Sequence, residues 1–156
     1  MPAIGDFMQA DNRQCAELLH RAEVLAVAER WDDAAAALQR FAQALELHLA
    51  REEEILFHTI ECAAGGVTGS TRTMRTEHED MCELLVQMEE AVRGRDLQRF
   101  LKPEETLAIL MRRHTLKEER VLYPMAEQLL GDGAQTVRAM ERLAESAVTS
   151  RDLQTR

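Results

Sequence analysis

One ten-residue pattern occurs twice in the chain. His48-Leu-Ala-Arg-Glu52-Glu53-Glu54-Ile-Leu-Phe57 returns sixty-six residues later as His114-Thr-Leu-Lys-Glu118-Glu119-Arg120-Val-Leu-Tyr123. In each copy a histidine is followed four residues on by a glutamate. On a helix those positions share a face one turn apart, so each copy presents an imidazole and a carboxylate side by side. Such a pair is a bidentate arm for a metal ion. Imidazole with carboxylate suits iron, manganese or zinc, and two arms facing across a bundle supply four protein ligands.

The offset extends beyond the motifs. It pairs Met8 with Met74, Asp11 with Glu77, Asn12 with His78, Cys15 with Met81, Leu18 with Leu84 and Leu19 with Leu85. The halves read as two copies of one helical hairpin, each with one ligand position on its first helix and an HxxxE pair on its second. Asn12 stands where symmetry asks for a histidine. Counted back from a turn at Trp31, it lies near the level of His48 and Glu52, whereas His20 lies about 12 Å further along the helix.

The composition agrees with an all-helical chain. Its 156 residues form one domain with room for a continuous core, and seven glycines and three prolines interrupt a sequence rich in Ala, Leu, Glu, Arg, Gln and Met. The net charge of −9 argues against nucleic acid and anionic membranes, which want a basic face. No apolar run spans a bilayer, and the first ten residues lack the regions of a secretory signal, so a cytoplasmic location is expected. Cys15, Cys62 and Cys82 have no CxxC spacing, so free thiols are expected. No glycine-rich phosphate loop or nucleophile elbow is present.

Periodicity sets out the elements. Asp11 or the residues just before it can cap a first helix carrying Cys15, Leu18, Leu19, Ala22, Leu25 and Ala26 to near Arg30. Trp31-Asp32-Asp33 reads as a turn, and Ala34 to about Cys62 as a second helix. Ala63 to Ser70 reads as a linker between the halves. A third helix runs from about Thr71 to Val92, and Gly94 to Asp96 turns the chain. A fourth covers Leu107 to at least Val121, with Pro103 leaving its start ambiguous and Pro124 disturbing or ending it. After Gly131-Asp-Gly133, Val137, Met140, Leu143 and Ala147 form an apolar stripe that lies across the bundle or pairs with a second copy in a homodimer. Ser150 to Arg156 reads as a frayed tail. The expected architecture is an antiparallel up-down four-helix bundle over about 6–130, with a short C-terminal helix over about 134–148.

His48xxxGlu52-Glu53 followed by Leu-Phe, Arg75-Thr-Glu-His78, and His114xxxGlu118-Glu119 followed by Leu-Tyr-Pro together resemble the hemerythrin-like, HHE cation-binding domains, over roughly Asp6 to Leu130. The resemblance implies a four-helix bundle with a non-haem di-iron centre. It further implies His48 and His114 as terminal ligands, Glu52 and Glu118 as bridging carboxylates, and His78 as a terminal ligand on the second iron. The chain departs from the pattern at Asn12, at Met74, where oxygen carriers have a further histidine, and at His58, in the slot matching Pro124. An amide oxygen is a weaker ligand than imidazole, so the metal position beside Asn12 should be looser, completed by solvent or empty.

The remaining candidates have plainer readings. Glu53 and Glu119 rotate about 100° from the ligand face and read as solvated groups or as supports behind the ligands, the first reading being favoured. His20 reads as a surface or boundary histidine, His58 as pairing locally with Glu54, Cys15 and Cys82 as small inner-face hydrophobes, and the methionines as packing. Tyr123 has a hydroxyl that can donate near the site, but its equivalent Phe57 has none, which favours packing. The expected function is a hemerythrin-type di-iron protein that binds or senses oxygen, nitric oxide or peroxide, or handles iron. Two alternatives are an enzyme that repairs iron centres or reduces nitric oxide, and a metal-free helical interaction module with a degenerate site.

Overall fold

A computed structural model describes residues 3–131 and 133–154, with side chains through 146. The first helix, α1 (Ile4–Val27), starts earlier than the capping reading of Asp11 allows. Its N-cap is Ala3 without a side-chain cap, and Asp6 in the first turn favours the helix dipole instead. Asp11 is buried in mid-helix. Glu29 adopts a left-handed φ of 55°, the Arg30 N–H closes on the Leu25 carbonyl at 3.0 Å, and α2 (Trp31–Ala50) begins at once. Trp31-Asp32-Asp33 is therefore the first turn of a helix, where two acids suit the dipole, and not a loop.

The second rod does not stop after its motif. It widens into a π-helical stretch over Arg51–Phe57 and resumes as α3 (His58–Ala64), which ends on Gly65 at φ 84°. The linker is shorter than Ala63 to Ser70, because Thr68 and Thr71 form a reciprocal cap that starts α4 (Gly69–Arg93) two residues before Thr71. Asp96 then caps α5 (Leu97–Lys117) by accepting from the Arg99 N–H at 3.1 Å, which carries Pro103 into the helix interior.

Pro124 neither ends nor interrupts the fourth rod. A second π-helical stretch, Glu118–Leu122, precedes α6 (Tyr123–Leu130), and Pro124 sits in the first turn of α6, where the hydrogen-bond ladder is already changing register and a missing donor is tolerated. Both π turns carry the glutamate of an HxxxE pair, so the internal repeat includes the backbone irregularity. The last helix, α7 (Ala134–Gln154), runs into the segment read as a frayed tail. The side chain of Ala147, and residues 155 and 156, lie outside the described residues.

α1 packs on α2 and α4 on α5, and the α1–α5 and α2–α4 seams close an antiparallel four-helix bundle. Its core is divided. One apolar cluster, with Leu19, Phe41, Leu45, Met88, Phe100 and Leu107, fills the end where the hairpins turn. A second, with Ile4, Met8, Leu56, Phe57, Tyr123 and Ala126, fills the other end, and Val137 and Met140 of α7 complete it. Each fully buried Phe or Leu contributes roughly 1.5 to 3 kcal/mol. Between the clusters lies a layer of buried polar residues. No helix among the described residues is long and apolar enough to cross a membrane.

Candidate metal centre

Five of the six residues singled out in the sequence meet in that polar layer. His48, Glu52, His78, His114 and Glu118 come from α2, α4, α5 and the two π turns, and none is more than 4% exposed. They form two groups of donor atoms, His48 with Glu52 and Glu118, and Glu52 with His78 and His114; Glu52 belongs to both.

The imidazoles are oriented alike. Each Nε2 points inward: His48 Nε2 is 3.0 Å from Glu52 Oε1, His78 Nε2 is 2.8 Å from Glu52 Oε2, and His114 Nε2 is 3.4 Å from Glu118 Oε1. His78 Nε2 and His114 Nε2 face each other at 3.2 Å. Each Nδ1 points outward at a carboxylate: Asp11 at 2.7 Å from His48, Glu77 at 3.4 Å from His114, and Glu53 at 3.4 Å from His78. A carboxylate behind the remote ring nitrogen fixes the tautomer that leaves Nε2 free to ligate.

Burial without satisfaction shows what this layer fits. Glu52 Oε2, His78 Nδ1 and both oxygens of Glu118 are buried without an aligned hydrogen bond. Orphaned polar atoms of this kind are costly unless something pairs them. Three imidazole nitrogens and two carboxylates form a donor set suited to first-row divalent ions, and a cation among them would pair Glu52 Oε2 and the two Glu118 oxygens, whereas His78 Nδ1 faces outward toward Glu53.

The charges are unevenly held. Burial opposes ionisation of Glu52, yet the adjacent His48 and hydrogen bonds from its neighbours hold its carboxyl well below the usual range. Burial likewise works against a charged His48, and Glu52 and Asp11 outweigh it, raising His48 well above the ordinary imidazole value. Glu118 goes the other way: burial and the charge on Glu52 push its carboxyl well up. Close approach drives the two carboxyls apart, Glu52 toward the charged form and Glu118 away from it.

Asn12, the sixth residue, is 7% exposed, and its Nδ2 donates to the Tyr123 hydroxyl at 3.0 Å. Tyr123 in turn reaches Glu52 Oε1 at 3.4 Å, and burial with the charge on Glu52 raises its phenol well above 10. Tyr123 is thus more than packing. Phe57, its counterpart in the repeat, stacks on His78 with centroids 5.6 Å apart. Each aromatic faces the first-helix position of the opposite half, and the hydroxyl occurs where histidine is replaced by an amide.

Other readings change as well. Cys82 is exposed, while Cys15 is buried, its thiol pushed up to about 11 by burial. Helical rotation carries Cys82 past the inner face, where Met81, the repeat partner of Cys15, sits instead. His58 is exposed and contacts Cys62 Sγ at 3.7 Å, not Glu54. Glu53 is only partly solvated, since it backs His78. His20 is exposed beside Glu23, at 3.6 Å.

Sequence reasoning missed a supporting shell. Arg51 Nη1 donates to Asp11 Oδ1 at 2.8 Å, and Lys117 pairs with Glu77. These four residues obey the sixty-six-residue offset, so the repeat that exposed the ligand positions also contained their supports. A groove of about 430 Å³ between α1 and α5 reaches this layer at Asn12 and Glu119, and has Glu104 at its far end. Burial and the nearby Glu23 raise the Glu104 carboxyl to about 7.

No curated protein and no solved structure matches the chain. The sequence model of the hemerythrin HHE cation binding domain does, over residues 3–126, a span that includes every side chain of the polar layer. With inward-facing imidazoles, a shared carboxylate and four-helix scaffold agreeing with that match, the chain belongs to the hemerythrin HHE cation-binding family, and its buried His and Glu clusters fit a metal-binding protein of hemerythrin type.

Proposed function

We propose that the polar layer is a carboxylate-bridged di-iron centre that binds a small ligand such as oxygen, nitric oxide or peroxide. The observation carrying this reading is that all three histidines turn Nε2 toward Glu52 and Nδ1 toward a carboxylate. His48, Glu52 and Glu118 would hold one ion, and Glu52, His78 and His114 the other. Iron held by such donors supplies reversible one-electron chemistry and an open position for a diatomic ligand. Manganese or zinc would satisfy the same donors.

The chain's own groups define the ligand's surroundings. Asn12 leaves an imidazole position unfilled, and the Tyr123 Oη, which keeps its proton, offers a hydrogen bond on that side. The apolar clusters above and below exclude bulk water, and the groove at Asn12 admits small molecules. A missing imidazole suits sensing or iron handling better than oxygen carriage, since it loosens one metal position.

The test is to load the protein with Fe(II) anaerobically and add nitric oxide. A stoichiometric, persistent change in visible absorption is the expected result. Continuous consumption of nitric oxide under reducing conditions would replace the binder with a nitric-oxide-reducing enzyme, and no spectral change would contradict both.

A further inference from the structure

A short chain of polar contacts leads from the metal donors to α7. Asp11 stands behind His48 with one carboxylate oxygen and receives Arg51 with the other. Arg51 Nε then donates to the main-chain carbonyl of Met140 at 3.1 Å, while its guanidinium lies 5.0 Å over the Phe7 ring. The side chain of Arg51 is only 11% exposed. Its repeat counterpart, Lys117, is 48% exposed and, among the described residues, pairs with Glu77. The first half thus extends its support to a further element.

Apolar packing reinforces the link. Val137 and Met140 are fully buried against the cluster that holds Leu56, Phe57 and Tyr123. Leu56 and Phe57 belong to the π turn that also carries Glu52, and α7 rests on that turn.

We propose that the seating of α7 is coupled to metal loading through Arg51, so that a bound metal steadies α7 and a docked α7 tightens the metal site; this rests on the metal-centre reading. A metal held by His48 and Glu52 orders the π turn that begins at Arg51, and with it the donor that fastens Met140. Without Arg51, a buried carboxylate oxygen and a carbonyl each lose a charged donor. Linkage makes the coupling reciprocal: the factor by which metal shifts the α7 docking equilibrium equals the factor by which docking tightens the metal. The C-terminal helix thereby reports the state of the centre.

Hydrogen exchange of the α7 amides tests this, using the full chain metal-free and loaded with Zn(II), a redox-inert probe. Zinc should slow α7 exchange by about tenfold or more, and Arg51→Met should abolish that difference and weaken zinc binding roughly ten- to hundredfold. Val137→Ala touches no donor, yet it should loosen α7 and weaken zinc binding in step, which keeps the test decisive if Arg51→Met fails to fold. Zinc uptake with unchanged α7 exchange would overturn the coupling alone. No zinc uptake would overturn the coupling and the metal-centre reading together.

Discussion

In the first hairpin Asp11 and Arg51 form a buried pair behind His48; in the second, Glu77 and Lys117 form the equivalent pair behind His114, with Lys117 half in solvent. The supporting contact is 2.7 Å in the first case and 3.4 Å in the second. The same inequality runs through the ligands, since Glu52 is shared by both donor groups and its carboxyl is held down, while Glu118 belongs to one group and its carboxyl is pushed up. The first-helix position reverses it: the second hairpin offers His78 stacked on Phe57, the first only Asn12 bonded to Tyr123. An internal repeat therefore supplies a symmetric frame, and single residues within it make the two donor groups unequal.

The largest expected effect separates the two glutamates. Glu52→Gln should abolish metal uptake at both positions, whereas Glu118→Gln should spare the position of His78 and His114; metal content per chain decides. Equal losses would mean the halves are equivalent after all. The supports should differ next. Asp11→Asn should weaken metal binding roughly ten- to hundredfold and Glu77→Gln by less than about tenfold, read from competition with a chelator.

The aromatic positions give a smaller effect. Tyr123→Phe, which makes the second half like the first, should cost about 1 kcal/mol in the metal-free chain, or about 2 to 4 °C in Tm. Asn12→His should instead raise metal affinity. An effect of similar size, set by pH, lies at Glu104, whose repeat counterpart is the buried Leu38. Its folded carboxyl titrates near 7, against 4.5 ordinarily, so the fold holds a proton that the unfolded chain has lost between those values. Stability contributed at that site is present below about pH 4.5 and falls as pH rises to about 7. Glu104→Gln should flatten this slope and stabilise the chain at pH 8 by about 1 to 2 kcal/mol, allowing for solvent at the groove.

The helices and the residues of the polar layer were legible because periodicity and the repeat are properties of single positions. Asp11 was misread because an acid near a predicted helix start has the same local signature whether it caps the helix or lies buried against another. Pro124 was misread because a proline tends to end an α-helix, and the π turn that places it in the first turn of α6 has no signature in the local sequence. Tyr123 was read as packing by comparison with Phe57, which hides that a hydroxyl matters only if the opposite half has lost its imidazole. The misses at Asp11 and Tyr123 concern contacts between helices, which linear spacing does not contain.

The most direct measurement is a titration of the metal-free chain with Fe(II) under anaerobic conditions, with Tm followed alongside. Two irons per chain, with Tm raised by about 5 to 10 °C and lowered again by chelator, is the predicted result. Uptake of one iron or none, with Tm insensitive to chelator, would contradict a di-iron centre built on Glu52 and point to a helical module with a degenerate site.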